Sequence, residues 1–263
     1  MLTRILSDFH NDACERDVIT CPQDSETTLV LAGDIDTAKS TERYGAFLER
    51  HSKRFKYIVI VCGNHEYWGT SILQGIQKMK DMIKDRGLTN VFHLENETVV
   101  LDGVAFIGAT LWTYMRNPLT IIQAQNGMSD YRRIRIGPSN EPWKRKFTVS
   151  DGVARHIQSR NYIFEEIKAQ KAQGRKVFVV THHAPSARSL SPKYPGDPLN
   201  PAYYSDLDME IMDAAPDYWA HGHVHWAHEY KIGDCTVVCN PRGYESYHGV
   251  EFTSYDPRKT YEV

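Results

Sequence analysis

The sequence predicts an α/β fold with a mixed β-sheet. Short runs of β-branched residues alternate with helical patterns, one pair of runs is typical of an antiparallel hairpin, and the composition is that of an ordinary globular protein. The chain has 263 residues, of which 41% are hydrophobic and 24% are charged. Because no Pro-rich or Gly/Ser-rich linker divides it, we expect a single domain over residues 1–263.

The predicted strands are short and rich in β-branched residues, as buried strands are. They cover residues 3–6, 28–31, 57–61, 176–180, 218–220 and 236–238. Residues 98–107 predict a hairpin that turns at Asp102 and Gly103, since Asp-Gly favours the positive φ angles of two-residue turns. Part of the sheet is therefore expected to be antiparallel.

Three segments predict helices. The clearest covers residues 71–86, with apolar residues on one face, Ser71 and Gln74 spaced as in a capping box, and Gly87 just past its end. Two further patterns predict helices over residues 152–173 and 41–54. The stretches 114–150 and 184–204 show no clear periodicity, so we expect them to be long functional loops.

Charge, hydropathy and cysteine content exclude several classes of protein. The net charge of −2 and a pI near 6.6 provide no general attraction for nucleic acid or anionic membranes. Apolar runs fall well short of the roughly 18 residues of a transmembrane helix, and Asp8 and His10 come too early for a signal peptide. We therefore expect a cytoplasmic protein. The five cysteines lack CxxC spacing, so free thiols are expected rather than disulfides or a zinc site.

Residues of the types that bind metal ions follow five of the predicted strands. They are Asp8 and His10, then Asp34, then Asn64 and His65, then His182 and His183, and finally His221, His223 and His225. Because the carboxyl ends of strands line the ligand crevice of α/β sheets, these five loops are expected to converge. Oxygen and imidazole donors without thiolate suit Mn²⁺, Fe, Zn²⁺ or Ni²⁺, and their number predicts two ions placed for attack at phosphorus.

The ordered motifs Asp-x-His, Gly-Asp, Gly-Asn-His-Glu, a strand-end His and Gly-His-x-His run from Asp8 to His225. Together they resemble the calcineurin-like metallophosphoesterase superfamily. The resemblance implies a four-layer sandwich of two mixed β-sheets flanked by helices, and a phosphoesterase in which a hydroxide between two ions attacks phosphorus. It implies ion sites bridged by Asp34, one held by Asp8, His10 and His225 and the other by Asn64, His182 and His223.

The resemblance also implies catalytic roles for Asp34 and His65. His65 matches the histidine that protonates the leaving alkoxide or stabilises charge on the phosphoryl oxygens. The alternative for His65 is that it only orients a metal ligand. His183, His221 and His228 are expected to be hydrogen-bonding or surface residues.

The chain departs from the superfamily pattern in its second and third motifs. The second motif is often Gly-Asp-x-x-Asp, but Thr37 stands at the last position; either Asp36 replaces that carboxylate, or the surroundings of the ions are built differently. The arginines with which phosphoprotein phosphatases hold phosphate are missing from both motifs. Small bacterial and phage-type members match better, because their late pattern resembles residues 240–244. Arg242 is therefore either near the site or structural.

Six basic residues lie between Arg132 and Lys146, interleaved with Tyr131, Trp143 and Phe147. Arginine forks match phosphate oxygens and aromatic rings stack on bases, so this segment could hold a nucleotide or another phosphodiester. A solvated basic loop is the equal alternative.

The sequence favours a phosphodiesterase that acts on a small-molecule phosphoester, with Mn²⁺ expected and Fe, Zn²⁺ or Ni²⁺ as alternatives. A phosphomonoesterase acting on a nucleotide or phosphoprotein is the first rival. A nuclease is the second, although the near-neutral charge disfavours it. A non-catalytic interaction scaffold is disfavoured by the complete ligand set. The physiological substrate and the oligomeric state are not predicted.

Overall fold

The computed structural model describes residues 1–246 and 249–263. The strands are β1 (Leu2–Leu6), β2 (Thr27–Ala32), β3 (Tyr57–Val61), β4 (Val91–His93), β5 (Glu97–Leu101), β6 (Val104–Ala109), β7 (Arg135–Ile136), β8 (Arg145–Lys146), β9 (Lys176–Thr181), β10 (Tyr218–His221), β11 (His228–Ile232), β12 (Cys235–Cys239), β13 (Glu245–Ser246), β14 (Gly249–Val250) and β15 (Tyr261–Glu262). The α-helices are α1 (Thr41–Ser52), α2 (Ile72–Asp85), α3 (Pro118–Gly127), α4 (Asp130–Arg133), α5 (Val149–Ala172) and α6 (Asp208–Ala214).

Two mixed sheets form the centre of the fold. One has the strand order β15-β1-β2-β3-β4, in which only the β15–β1 pair is antiparallel. The other has the order β11-β12-β10-β9-β6-β5, parallel in the middle and antiparallel at both edges. The expectation of mixed sheets is confirmed.

The apolar core is divided into three layers. Between the sheets, Ile5, Val30 and Val59 of the first sheet pack with Phe106 and Phe178 of the second. The outer face of the first sheet packs against α1 and α2, and that of the second against α5 and α6. This gives the four-layer sandwich that the motifs imply. Along the described residues, no helix combines the length and apolar character needed to cross a membrane.

The clearest local predictions hold in detail. Helix α2 begins directly after Ser71, whose hydroxyl accepts the Gln74 N–H. Asp102 and Gly103 both have positive φ, +46° and +83°, as the hairpin turn between β5 and β6 requires. Helix α5 starts three residues before its predicted start, because Thr148 forms a capping box with Asp151.

The stretch 114–150 is not the irregular loop that was expected. It contains α3, α4 and the β7–β8 pair. Helix α3 was missed because the residues that it buries are Thr120 and Ala124, which make no apolar stripe. Its start signal, an Asn117 cap followed by Pro118, is present in the sequence. The stretch 184–204 is irregular except for short 3₁₀ turns at Ala187–Ser189 and Asn200–Ala202.

Candidate metal centre

The residues predicted at the five strand ends meet at one edge of the two sheets. Strands β1, β2 and β3 are parallel in the first sheet, as are β9 and β10 in the second, so their carboxyl ends face the same way. The Asp8 N–H donates to the Gly33 carbonyl across β1 and β2 (3.0 Å). The His223 N–H donates to Asp8 Oδ1 (3.1 Å), which ties the second sheet to the first.

One group of donors consists of Asp8, His10 and His225, whose ligand atoms lie within 4.8 Å of one another. The two Nε2 atoms of His10 and His225 are 3.0 Å apart, and His225 Nε2 is 3.3 Å from Asp8 Oδ1. Two ring nitrogens and a carboxylate oxygen thus point toward one small volume.

A second group consists of Asp34, His182 and His223. His182 Nε2 lies 3.4 Å from Asp34 Oδ2 and 3.0 Å from Asn64 Oδ1, so the predicted amide ligand faces the same point. Asp34 also lies within 4.8 Å of a ring nitrogen of His10, a member of the first group. Its carboxylate therefore stands between the two groups.

The chemistry of these donors fits cations. His223 Nε2 is buried without a hydrogen-bond partner. The Ala32 carbonyl oxygen accepts from His182 Nδ1, which leaves Nε2 of the neutral ring as a ligand atom. Burial lowers the pKa of His182, but Asp34 and Asp8 outweigh it and raise the pKa to about 9. The buried carboxylates thus attract positive charge, which divalent ions would provide.

Five of the predicted ligands have left-handed backbone conformations. Their φ angles are Asp8 +54°, His10 +49°, Asp34 +54°, His223 +70° and His225 +47°. Residues with side chains rarely adopt this conformation, and such strain concentrates at functional sites. The strand-end loops therefore aim these side chains inward at a cost in backbone energy.

Two glycines let the loops approach the carboxylates. A Cβ on Gly222 would lie 2.6 Å from Asp8 Oδ2, and one on Gly63 would clash with Asp34. Both glycines belong to motifs in the sequence, where their neighbours are predicted ligands. The structure shows that their role is close backbone approach.

Glu66, the last residue of the Gly-Asn-His-Glu motif, joins two of the loops. The sequence assigned it no role. Its buried carboxylate accepts the N–H groups of Gly63 (2.7 Å), Asp34 (3.0 Å) and Ile35 (2.9 Å), and the Tyr44 hydroxyl. Burial, followed by the charge of Asp34, raises the pKa of Glu66 to about 7. This carboxylate thus fixes the loop that follows β2 against the loop that follows β3.

His65 has a carboxylate partner that sequence reasoning missed. Its Nδ1 lies 3.3 Å from Asp12 Oδ2, and its Nε2 lies 3.1 Å from the Tyr244 hydroxyl. Burial lowers the pKa of His65, but Asp34 and Asp12 outweigh it and raise the pKa overall. Asp36, considered as the substitute for the missing acid of the second motif, accepts from Arg43 Nε at 2.7 Å.

A second missed carboxylate, Asp130, orients Asn64. Its Oδ1 accepts from Asn64 Nδ2 (2.9 Å) and from Trp68 Nε1 (2.7 Å), so the Asn64 amide oxygen points to His182. Asp130 is buried at the start of α4. It lies in the stretch that the sequence left without elements, so no signal identified it.

A cavity of about 450 Å³ opens over the donor groups. Trp68, Tyr203 and Tyr244 contribute aromatic walls, and the 184–204 stretch supplies much of the remaining lining. The Trp68 ring stacks on His65 with centroids 3.4 Å apart. Among the described residues that line this cavity, Lys193 is the one lysine and arginine is absent.

The two donor groups do not include four other residues that the sequence analysis considered, namely Arg242, His183, His221 and His228. Arg242 donates its backbone N–H to the Ser7 carbonyl, while its guanidinium is 3.4 Å from Glu245. His183 Nδ1 lies 3.2 Å from the Thr110 carbonyl oxygen, which matches its expected local role. His221 and His228 lie on β10 and β11, and the buried His221 takes the hydrogen-bonding alternative, with its Nε2 2.8 Å from Ser189 Oγ.

The basic segment divides into separate environments. Lys144 pairs with Glu141 and Arg145 with Asp151. Arg133 instead lies over the Trp68 ring, 4.4 Å from its centroid. Arg132 donates to Ser129 Oγ (3.3 Å), and both Ser129 and Trp68 line the cavity.

Comparisons with known proteins identify a family and a fold. The family model for calcineurin-like phosphoesterases matches residues 2–227. An uncharacterised protein of Acanthamoeba polyphaga mimivirus is 27% identical over an alignment of 230 positions that covers 82% of this chain and 78% of that one.

Two solved structures share the fold. A phosphopantetheinyl hydrolase from Mycobacterium tuberculosis has a TM-score of 0.60 at 15% identity, covering 92% of this chain and 89% of its own. A protein described as a 5′-nucleotidase of Staphylococcus aureus has a TM-score of 0.50 at 13% identity, covering 91% of this chain and 48% of its own.

Proposed function

Because the chain belongs to the calcineurin-like phosphoesterase family, we propose that it hydrolyses phosphodiesters with two divalent ions bound at the cavity floor. Asp8, His10 and His225 would hold one ion, and Asn64, His182 and His223 the other. Asp34 would bridge them, since its carboxylate stands between both donor groups. Bound ions of this kind activate water and neutralise charge on the phosphoryl oxygens.

His65 supports this proposal as the proton donor to the leaving alkoxide. The residue lines the cavity beside the donor groups, and its Nε2 lies 3.9 Å from Asp34 Oδ2. Asp12 accepts from Nδ1, which fixes the ring and favours its protonated form. Asp12 is thus a positioning residue for His65, and Tyr244 holds the ring from the other side.

The charges of the side chains that line the cavity favour a phosphodiester over a phosphomonoester as the substrate. A phosphomonoester is a dianion near neutral pH, whereas a diester carries one negative charge. The described lining residues include Lys193 as their one lysine and no arginine, and they also include the carboxylates of Asp130, Asp197 and Glu251. The cavity therefore offers little added charge for a dianion, and its aromatic walls give room for a second ester substituent.

The nuclease alternative receives no added support from the basic segment. Lys144 and Arg145 are engaged by their own acidic neighbours, and Arg133 lies over Trp68. A segment that tracks a polynucleotide backbone would present several free cations along one groove.

Rates on a chromogenic phosphodiester and on its monoester would test the proposal. The protein would be loaded first with Mn²⁺ and then with Zn²⁺, with Asp34→Asn as the blank. We expect metal-dependent turnover and a higher kcat/KM for the diester. A higher value for the monoester would overturn the diester assignment, and no loss of activity in Asp34→Asn would overturn the two-ion arrangement.

A further inference from the structure

Three potential ligands that are not members of the catalytic donor groups lie side by side on neighbouring strands. His221 ends β10, His228 begins β11 and Cys239 ends β12, and the register pairs Cys239 with both histidines. Directly paired residues project from the same face of a sheet. One ring nitrogen of each histidine and the cysteine Sγ lie within 4.8 Å of one another.

His228 has a ring nitrogen available for a cation. Its Nδ1 lies 2.7 Å from the Trp226 carbonyl oxygen, which can only accept, so the proton of the neutral ring is on Nδ1. Nε2 is then a lone-pair donor, and it is buried without a hydrogen-bond partner. Burial lowers the pKa of His228 to about 4, so a proton does not occupy this position near neutral pH.

Cys239 and His221 complete the group. Cys239 is buried, and its Sγ makes a long contact of 3.8 Å with the Gly222 carbonyl oxygen. His221 Nδ1 lies 2.9 Å from the same oxygen, and its Nε2 lies 2.8 Å from Ser189 Oγ. A bound ion would replace one of these two histidine contacts, and the other would fix the ring, as is usual around metal-bound imidazoles.

We propose that His221, His228 and Cys239 bind a zinc ion, separate from the two ions of the catalytic centre. One thiolate and two imidazoles are typical zinc ligands, and a tetrahedral ion would take water as its fourth. On binding, the Cys239 S–H bond breaks, a zinc–sulfur bond forms and the proton passes to solvent. Cysteine spacing gave no sign of this site, because the ligands come from three strands.

This ion would link the two ends of the loop 222–227. His221 and His228 immediately flank residues 222–227, which carry His223 and His225. Both of those ligands have left-handed backbones. An ion that joins the two ends of the loop would hold the strained segment in place.

Cobalt substitution of the metal-free protein would test the site, because a cobalt–thiolate bond has its own near-ultraviolet charge-transfer absorption. The catalytic donors include no thiolate, so this signal reports the proposed site alone. With cobalt in excess over all three proposed sites, we expect the wild-type protein to show the intensity of one cobalt–thiolate bond per chain. It should vanish in Cys239→Ser and weaken in His228→Gln. Cys235→Ser is the matched control, since Cys235 is also buried on β12 but lies outside the group, and it should keep the signal.

Metal analysis after zinc loading provides a second readout. Cys239→Ser should hold one ion fewer per chain than the wild-type protein and than Cys235→Ser. Absence of a thiolate signal in the wild-type protein, or its persistence in Cys239→Ser, would overturn the proposal. If Cys239→Ser does not fold, an unchanged cobalt–thiolate signal in His228→Gln would also overturn the proposal. Loss of catalysis without loss of the thiolate signal would count against the proposed function and not against this site.

Discussion

Replacing Asp12 by asparagine tests whether the carboxylate beside His65 contributes to catalysis. Asparagine keeps the shape of the side chain but removes its charge, 3.3 Å from His65 Nδ1. Coulomb's law with an effective dielectric constant of about 20 gives about 5 kcal/mol for two full charges at that distance, which is an upper limit. The Asp12 side chain is 17% exposed, and asparagine retains part of the hydrogen bond. We therefore expect a loss of ~1.4–2.7 kcal/mol in transition-state stabilisation, or a 10- to 100-fold lower kcat.

The assay is kcat on diesters whose leaving groups differ in pKa. Asp12→Asn should lose most on the poorest leaving groups, and KM should change little because Asp12 does not line the cavity. In His65→Ala, the second substitution Asp12→Asn should have almost no further effect, since the two residues act as a unit. Asp36→Asn is the matched control, because that carboxylate pairs with Arg43. Wild-type kcat in Asp12→Asn, or fully additive losses in the double variant, would refute the reasoning.

Three further predictions follow from the site and its surroundings. Asp34→Asn should abolish turnover and lower the bound metal measured by elemental analysis; full metal content with normal activity would contradict the bridging role. Arg133→Ala should raise KM by weakening the cation–π contact with Trp68, whereas Arg145→Ala should leave KM unchanged in the same steady-state assay. Burial lowers the pKa of His156 to about 4, so the unfolded chain binds its proton first and stability should fall as the pH drops below about 6.5. In His156→Gln, the urea midpoint should fall less steeply between pH 7 and pH 5, and an identical slope would exclude His156 as the cause.

The fold and the convergence of the strand-end residues were accessible from sequence because both depend on local patterns. Strand runs that end in Asp, Asn or His specify both the sheet and the edge at which the side chains meet. Helix α3 could not be predicted from the sequence, since it buries small residues that form no apolar stripe. Asp130, which starts the next helix, was missed because its role depends on where α4 places it.

The partner of His65 shows a different limit. No sequence pattern indicated which acid would face His65, and the open question about Asp36 concerned the missing carboxylate of the second motif, where Thr37 stands. In the structure a carboxylate oxygen of Asp12, two residues beyond His10, lies 3.3 Å from His65 Nδ1. Which of several acids reaches a given atom is decided by loop conformation, which a single sequence does not specify.

The left-handed ligands place thermal stability and activity in opposition. Glycine at Asp8, His10, Asp34, His223 or His225 would relieve backbone strain of about 1 kcal/mol per position while removing a proposed metal donor. Selection for a more robust fold would thus favour changes that inactivate the enzyme at these five positions. Natural or engineered stabilisation has to arise elsewhere in the sandwich, and the strand-end loops are expected to be the last part of the chain to accept it.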